Sequence, residues 1–262
     1  MPALNVFIDG SWLFRACGAE MILSSKTECP DRRFRIDFRK LDRALLAHVR
    51  ARDGSCSALG HRYLATSIFR LPVTLADWPT ENPDITTSDI EKLRKNVSAR
   101  RAFADLAIDA GYRNDVVYSP ELRLYILRKL KRKQYQEKQV DTAIVALLVR
   151  SALLTPSDYH VVITGDADIL PAIQVAYPEY SRNVFIATTH PDELRAEHRQ
   201  TSWSLHNFEF DVDPFYLQDH IAEIIEGDII YTCAHCHRVF TRPTPIPLKA
   251  RPCCNPCYAT RT

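Results

Sequence analysis

Glycine is scarce in this chain, with seven residues in 262, which argues against a loop-rich, fibrous or low-complexity protein. Long apolar runs are missing as well. The longest clean one, from Ala143 to Val149, stops at Arg150, far short of the roughly 20 apolar residues a membrane-spanning helix needs. No basic-then-apolar leader opens the sequence, which passes almost at once into a strand-like segment, so a cytoplasmic protein without membrane contact is expected. Acidic residues are absent between Ile229 and Thr262, where Arg238, Arg242, Lys249, Arg251 and Arg261 stand.

Apolar content of 46% with 25% charged residues is that of a globular protein, long enough for one large core plus a small accessory module. A net charge of +2 decides nothing by itself, so the distribution of charge matters more. From Glu121 to Gln139 the basic residues Arg123, Arg128, Lys129, Lys131, Arg132, Lys133 and Lys138 outnumber Glu121 and Glu137. Such segregation suits a polyanion, and equally a solvated helix face.

Strand-like and helix-like segments alternate along the chain. Strands are expected near residues 4–8, 63–69, 114–118, 161–164 and 183–188, with an edge strand at 202–206. Helices are expected at 12–23, 37–52, 88–110 (with a Ser88/Glu91 capping box), 122–135, 140–154 and 170–176. The 140–154 segment is apolar on nearly every side and reads as a fully buried helix. Residues 31–35 read as a basic loop and 71–89 as a long proline-punctuated one. This alternation predicts an α/β fold with a mostly parallel sheet flanked by helices and right-handed crossovers. The division expected is a main domain over 1–210, a connecting helix within 211–228, and a small module over 229–262.

Val161 to Leu170 is the stretch the chain is organised around. A buried β-branched run breaks at Gly165 and presents Asp166 and Asp168, one residue apart, at the strand end. Open α/β sheets put their chemistry at that edge. Neighbouring carboxylates repel unless neutralised, and hard oxygen ligands suit Mg²⁺ or Mn²⁺. A plain turn with Asp168 capping a helix accounts for the same residues. Asp9 ends the first strand in the same manner, and Asp141 opens the 140–154 helix, as a third carboxylate or as a charge favoured by the helix dipole.

The cysteines divide unevenly. Cys17, Cys29 and Cys56 are scattered and read as reduced structural residues, whereas Cys233-Ala-His-Cys236 and Cys254-Asn-Pro-Cys257 form two C-x₂-C pairs 17 residues apart. That spacing matches a Cys₄ zinc ribbon, in which structural Zn²⁺ staples a segment too short for its own core. Cys253, His235 and His237 are competing ligands, but only Cys254 with Cys257 preserves the x₂ spacing. Four thiolates leave no open position for water, so the zinc would brace rather than catalyse.

Three motifs occur in order: Val6-Phe7-Ile8-Asp9-Gly10-Ser11, Lys138-Gln139-Val140-Asp141 and Thr164-Gly165-Asp166-Ala167-Asp168. Over roughly residues 4 to 190 this order resembles the NYN family of PIN-like nucleases, including its LabA-like branch. The resemblance implies a Rossmann-like sheet, a Mg²⁺ or Mn²⁺ site built by Asp9, Asp141, Asp166 and Asp168, hydroxyl neighbours Ser11 and Thr164, and RNA as substrate. Lys138 would then face the scissile phosphate, and Arg128, Lys131 and Arg132 would track the RNA backbone, giving salt-dependent affinity. The ribbon would engage RNA, a protein partner or a second copy. The function implied is a metal-dependent ribonuclease, an endonuclease in the first instance. The family commonly has asparagine where this chain has Trp12, so the alternative is a weak or inactive RNA-binding protein of the same fold. Phosphatase chemistry of the haloacid dehalogenase type normally needs an aspartate at the position of Ser11.

Overall fold

The computed structural model describes residues 1–17, 32–132, 134–135, 139–189, 208–217, 219–243, 246 and 250–259. In chain order the elements are β1 (Ala3–Asp9), α1 (Gly10–Cys17), β2 (Arg32–Ile36), α2 (Phe38–Arg52), β3 (Ala58–Ser67), α3 (Trp78–Glu81), α4 (Thr87–Asp109), β4 (Val117–Tyr118) and α5 (Leu124–Lys131). They continue with α6 (Gln139–Leu154), β5 (Tyr159–Ile163), α7 (Leu170–Ala176), β6 (Val184–Thr188), β7 (Phe215–Tyr216), α8 (Ile221–Ile224), β8 (Ile225–Thr232), β9 (Val239–Arg242) and α9 (Asn255–Ala259).

Strand β1 lies inside a six-stranded sheet ordered β4-β3-β1-β5-β6-β7, and every pairing in it is parallel. Its buried residues alternate between two cores, as a period of two requires. Leu4, Val6 and Ile8 join Val161, Ile163, Phe185 and Ala187 on one face, packed against Leu13 of α1, Leu41 and Leu45 of α2 and Ala104 of α4. Phe7 joins Val162, Val184 and Ile186 on the other, under Val140, Ile144 and Leu148 of α6 and Ile173 of α7. Helices on both faces of a parallel sheet are the α/β architecture the alternation predicted. Among the described residues no helix is long and apolar enough to cross a membrane.

Several local expectations change. Helix α6 is not buried all round: Val140, Ile144, Leu148 and Ala152 form one buried stripe at four-residue spacing, while Leu153 and Leu154 are exposed. A single stripe is enough because the helix lies across one face of β1, β3 and β5. The capping box of α4 is Thr86 with Asp89 rather than Ser88 with Glu91. Gly111, at φ +100°, follows the helix in a backbone conformation that side-chain-bearing residues rarely adopt. The 71–89 segment is no bare loop, since it carries α3 and packs Leu75 and Ile85 against Leu122, Ile126 and Leu127.

Two corrections concern the C-terminal part. The basic loop expected at 31–35 contributes strand β2, and the connecting helix expected within 211–228 is only the single turn α8 followed by β8. Ile225, Ile229 and Tyr231 are buried with the main core, and β8 pairs antiparallel with both β2 and β9. Extended backbone wins because Gly227 takes φ +72° and the strand finds partners on both edges. The cysteine-bearing segment is thereby tied to the main sheet layers through β2. The first helix is described only to Cys17, and the edge strand expected at 202–206 lies outside the described residues.

Candidate functional site

After β1 the chain moves to β3 and then β4 on one side, whereas β5 and β6 lie on the other. The carboxyl ends of β1 and β5 therefore flank a topological switch point, where open α/β sheets form a crevice. Asp9 is the last residue of β1 and is 2% exposed. Its Oδ1 accepts the Trp12 N–H at 2.9 Å and its Oδ2 accepts the Thr164 hydroxyl at 3.1 Å. Thr164, fully buried just after β5, also accepts the Asp166 N–H at 3.0 Å, so one hydroxyl fixes two acidic segments against each other. Asp166 in turn accepts the Asp168 N–H at 3.1 Å and caps the short turn that follows. Asp141 arrives from the first turn of α6, held over the strand ends by the burial of Val140.

Asp9, Asp141 and Asp166 each offer an oxygen within 4.8 Å of the others. Asp168, expected as a fourth member, does not belong to that set; it is exposed, and its backbone is used in the turn. It lines the same cleft and adds negative potential at Asp141. Burial raises the pKa of Asp9 despite the Trp12 and Thr164 hydrogen bonds. Asp141 is pushed up to about 6, first by burial and then by Asp9, Asp166 and Asp168. Asp166 disfavours the charge on both Asp9 and Asp141, and three carboxylates so placed form a hard-oxygen donor set able to hold a divalent cation.

Trp12 does not enter the cleft. Its side chain is buried beneath Gly165, so close that a Cβ at position 165 would lie 2.5 Å from the indole nitrogen. Glycine is needed there for the turn that carries Asp166 to pass over the ring. Gly165→Ala should displace Asp166 and weaken Mn²⁺ binding about tenfold, roughly 1.4 kcal/mol, by calorimetric titration. Gly54→Ala, where a Cβ meets nothing within 4 Å, should leave it unchanged.

The carboxylates sit in a cleft of about 1260 Å³ whose lining includes Ser11, Arg15, Lys92, Asn96, Arg100 and Lys131. Of the basic residues expected to follow a substrate, only Lys131 lines it, and its ammonium bonds Asp89 at 2.7 Å and the Asp84 carbonyl. Arg128 is outside the lining and forks onto Asp84 at 2.8 and 3.0 Å. Arg132, exposed at the end of α5, is outside it as well, and Lys138 falls outside the described residues. The basic run thus braces the segment before α4. The helix expected at 88–110 is present as α4, but its cleft-facing side, where Lys92, Asn96 and Arg100 recur at four-residue spacing, is a part of the site that the sequence signals and the expected residues omit.

Cys233, Cys236, Cys254 and Cys257 also converge, with sulfurs within 4.8 Å of one another. Backbone N–H groups of Cys236, Cys254 and His235 donate to the Cys233 sulfur and lower the pKa of its thiol, while the crowding of the other three sulfurs raises that of Cys257. His237, at φ +57°, closes the first turn by donating its N–H to the Cys233 carbonyl at 3.0 Å. Cys253 is buried yet outside the set, and His235 and His237 are exposed outside it. The arrangement could hold a tetrahedral ion with no position left for water.

No family model, curated protein or solved structure matches this chain.

Proposed function

We propose that this chain is a Mg²⁺- or Mn²⁺-dependent ribonuclease of the NYN branch of PIN-like nucleases, cutting within RNA, with Zn²⁺ held by its four C-terminal cysteines. The observation that carries this reading is the convergence of Asp9, Asp141 and Asp166 at the β1/β5 switch point, where all three line one cleft. A cleft of about 1260 Å³ exceeds the roughly 300–1,000 Å³ of a small-ligand pocket, which suits a segment of polymer.

The three carboxylates would hold the cation, which supplies a water activated near neutral pH and neutralises charge on the phosphoryl oxygens. The chain's own part is positioning. Trp12 and Thr164 fix the Asp9 carboxylate on both oxygens, and the Thr164 hydroxyl ties the Asp166 backbone to it. Ser11 accepts the Arg100 guanidinium at 3.4 Å beside the triad, and Arg15 offsets the charge on Asp9 and Asp141. These groups orient a phosphodiester over the acids while the buried strand ends exclude bulk water. Trp12, the departure from the family pattern, lies in the core and leaves Asp9, Asp141 and Asp166 together, which is what supports a nuclease in spite of that departure. In the ribbon, exposed Arg238, Arg242 and Arg251 extend a basic surface suited to RNA or to an acidic protein partner.

Labelled RNA incubated with Mg²⁺ or Mn²⁺ should be cut by the parent chain. Asp9→Asn and Asp166→Asn should each be slower on the order of 100-fold or more, about 2.7 kcal/mol in barrier. Equal cutting by parent and variants removes the proposal.

A further inference from the structure

We infer that the cleft-facing side of α4 is the rail for a single-stranded RNA segment, with phosphates on Arg100, Asn96 and Lys92 and a base on the Phe69–Tyr135 pair. This rests on the ribonuclease reading and adds to it which strand form is taken and along which helix face it lies. Positions 92, 96 and 100 share one helix face, spaced by about 6 Å along the axis at 1.5 Å per residue. That step is comparable with the separation of neighbouring phosphates in an extended strand.

The two ends of the rail are placed by contacts. Arg100 bonds the Ser11 hydroxyl, two residues after Asp9, and its guanidinium lies 5.3 Å from the Phe14 ring centroid, which restricts its rotamers before any ligand arrives. At the other end Asp89 bonds Lys131 of α5, and Leu93 packs in the cluster that holds Phe69 and Tyr135. Those two half-buried rings meet edge to face at 5.4 Å and both line the cleft. The cleft therefore runs from carboxylates, through cations at Arg15, Arg100 and Lys92, to an aromatic end. Cations that track a backbone, followed by rings that stack a base, are what single-strand binding uses. A duplex keeps its bases stacked on each other and offers none to a protein ring.

The same helix supplies the control. Arg94 and Arg101 are exposed on α4 but do not line the cleft, being turned roughly 180–200° from Lys92 and 100–120° from Arg100 at 100° per residue. Two double variants thus remove equal charge from one helix, one from the side that lines the cleft and one from the side that does not. Binding of a fluorescent single-stranded RNA would be measured by anisotropy in the full chain bearing Asp141→Asn, so that cutting does not interfere. Lys92→Ala with Arg100→Ala should weaken binding at least tenfold and lower the salt slope by about 1.4, the share of two phosphate contacts on a single strand. Arg94→Ala with Arg101→Ala should weaken it less than about twofold. Tyr135→Ala should weaken the single strand severalfold and leave the weaker binding of a duplex of the same sequence unchanged. Equal losses from the two faces, or a duplex bound as tightly as the single strand, overturn the rail. Rail-dependent binding by a parent chain that cuts no RNA with Mg²⁺ or Mn²⁺ sinks the nuclease reading and leaves the rail standing.

Discussion

Asp141→Asn is expected to raise the thermal midpoint of the metal-free protein and to remove at least about half of the further rise that Mn²⁺ gives the parent chain. In the metal-free state Asp141 titrates with a pKa raised to about 6 by burial and by the facing Asp9, Asp166 and Asp168 carboxylates. A carboxyl whose folded pKa is raised contributes stability below its unfolded value, and that contribution is lost as pH climbs through the folded one. The parent should therefore lose, between about pH 4 and pH 7, stability on the order of 1 kcal/mol that the variant keeps, a figure reduced for a group partly open to solvent. Mn²⁺ at a hundred times its dissociation constant should stabilise the parent by about 2.7 kcal/mol, roughly 5–10 °C for a chain of this size. Scanning calorimetry at pH 7 with and without Mn²⁺ reads both effects.

The second large effect concerns the cysteines. Cys236→Ser, or prolonged chelation, should remove the Zn²⁺ proposed to sit among the four cysteines and lower the midpoint of the whole protein by roughly 10 °C or more. The loss should be global because β8 carries Ile225, Ile229 and Tyr231 into the main core and pairs with β2. Ile246 adds to this tie by donating its N–H to the Tyr231 hydroxyl at 2.9 Å. Cys253→Ser should keep the metal, since Cys253 stands outside the converging set. A separate low-temperature transition over an unchanged main one would show the ribbon to be energetically independent.

The parts of this molecule legible from its sequence are those fixed by short-range patterns. Strands β1 and β5 are short buried runs that stop on polar residues, so both their place in the sheet and the acids at their ends follow from local composition. The C-x₂-C pairs carry their geometry in their spacing, and all four cysteines meet. Asp166-Ala167-Asp168 reads as a pair of ligands, but the turn spends the Asp168 backbone on Asp166 and leaves its side chain outside the triad. The basic run of α5 pointed to a substrate because its partners Asp84 and Asp89 lie in a different segment that composition cannot associate with it. Leu217, Ile221, Ile224 and Ile225 fit a helical stripe, and it is the left-handed Gly227 together with the partners β2 and β9 that makes the chain from Ile225 onward extended.

Manganese titration followed by electron paramagnetic resonance, which reads free and bound Mn²⁺ separately, tests the shared cation site most directly. Asp9→Asn, Asp141→Asn and Asp166→Asn should each weaken binding at least tenfold, about 1.4 kcal/mol, while Asp168→Asn weakens it less than about threefold. Binding as tight as the parent's in any of the first three, or a loss in Asp168→Asn equal to theirs, would contradict a site built by those three carboxylates.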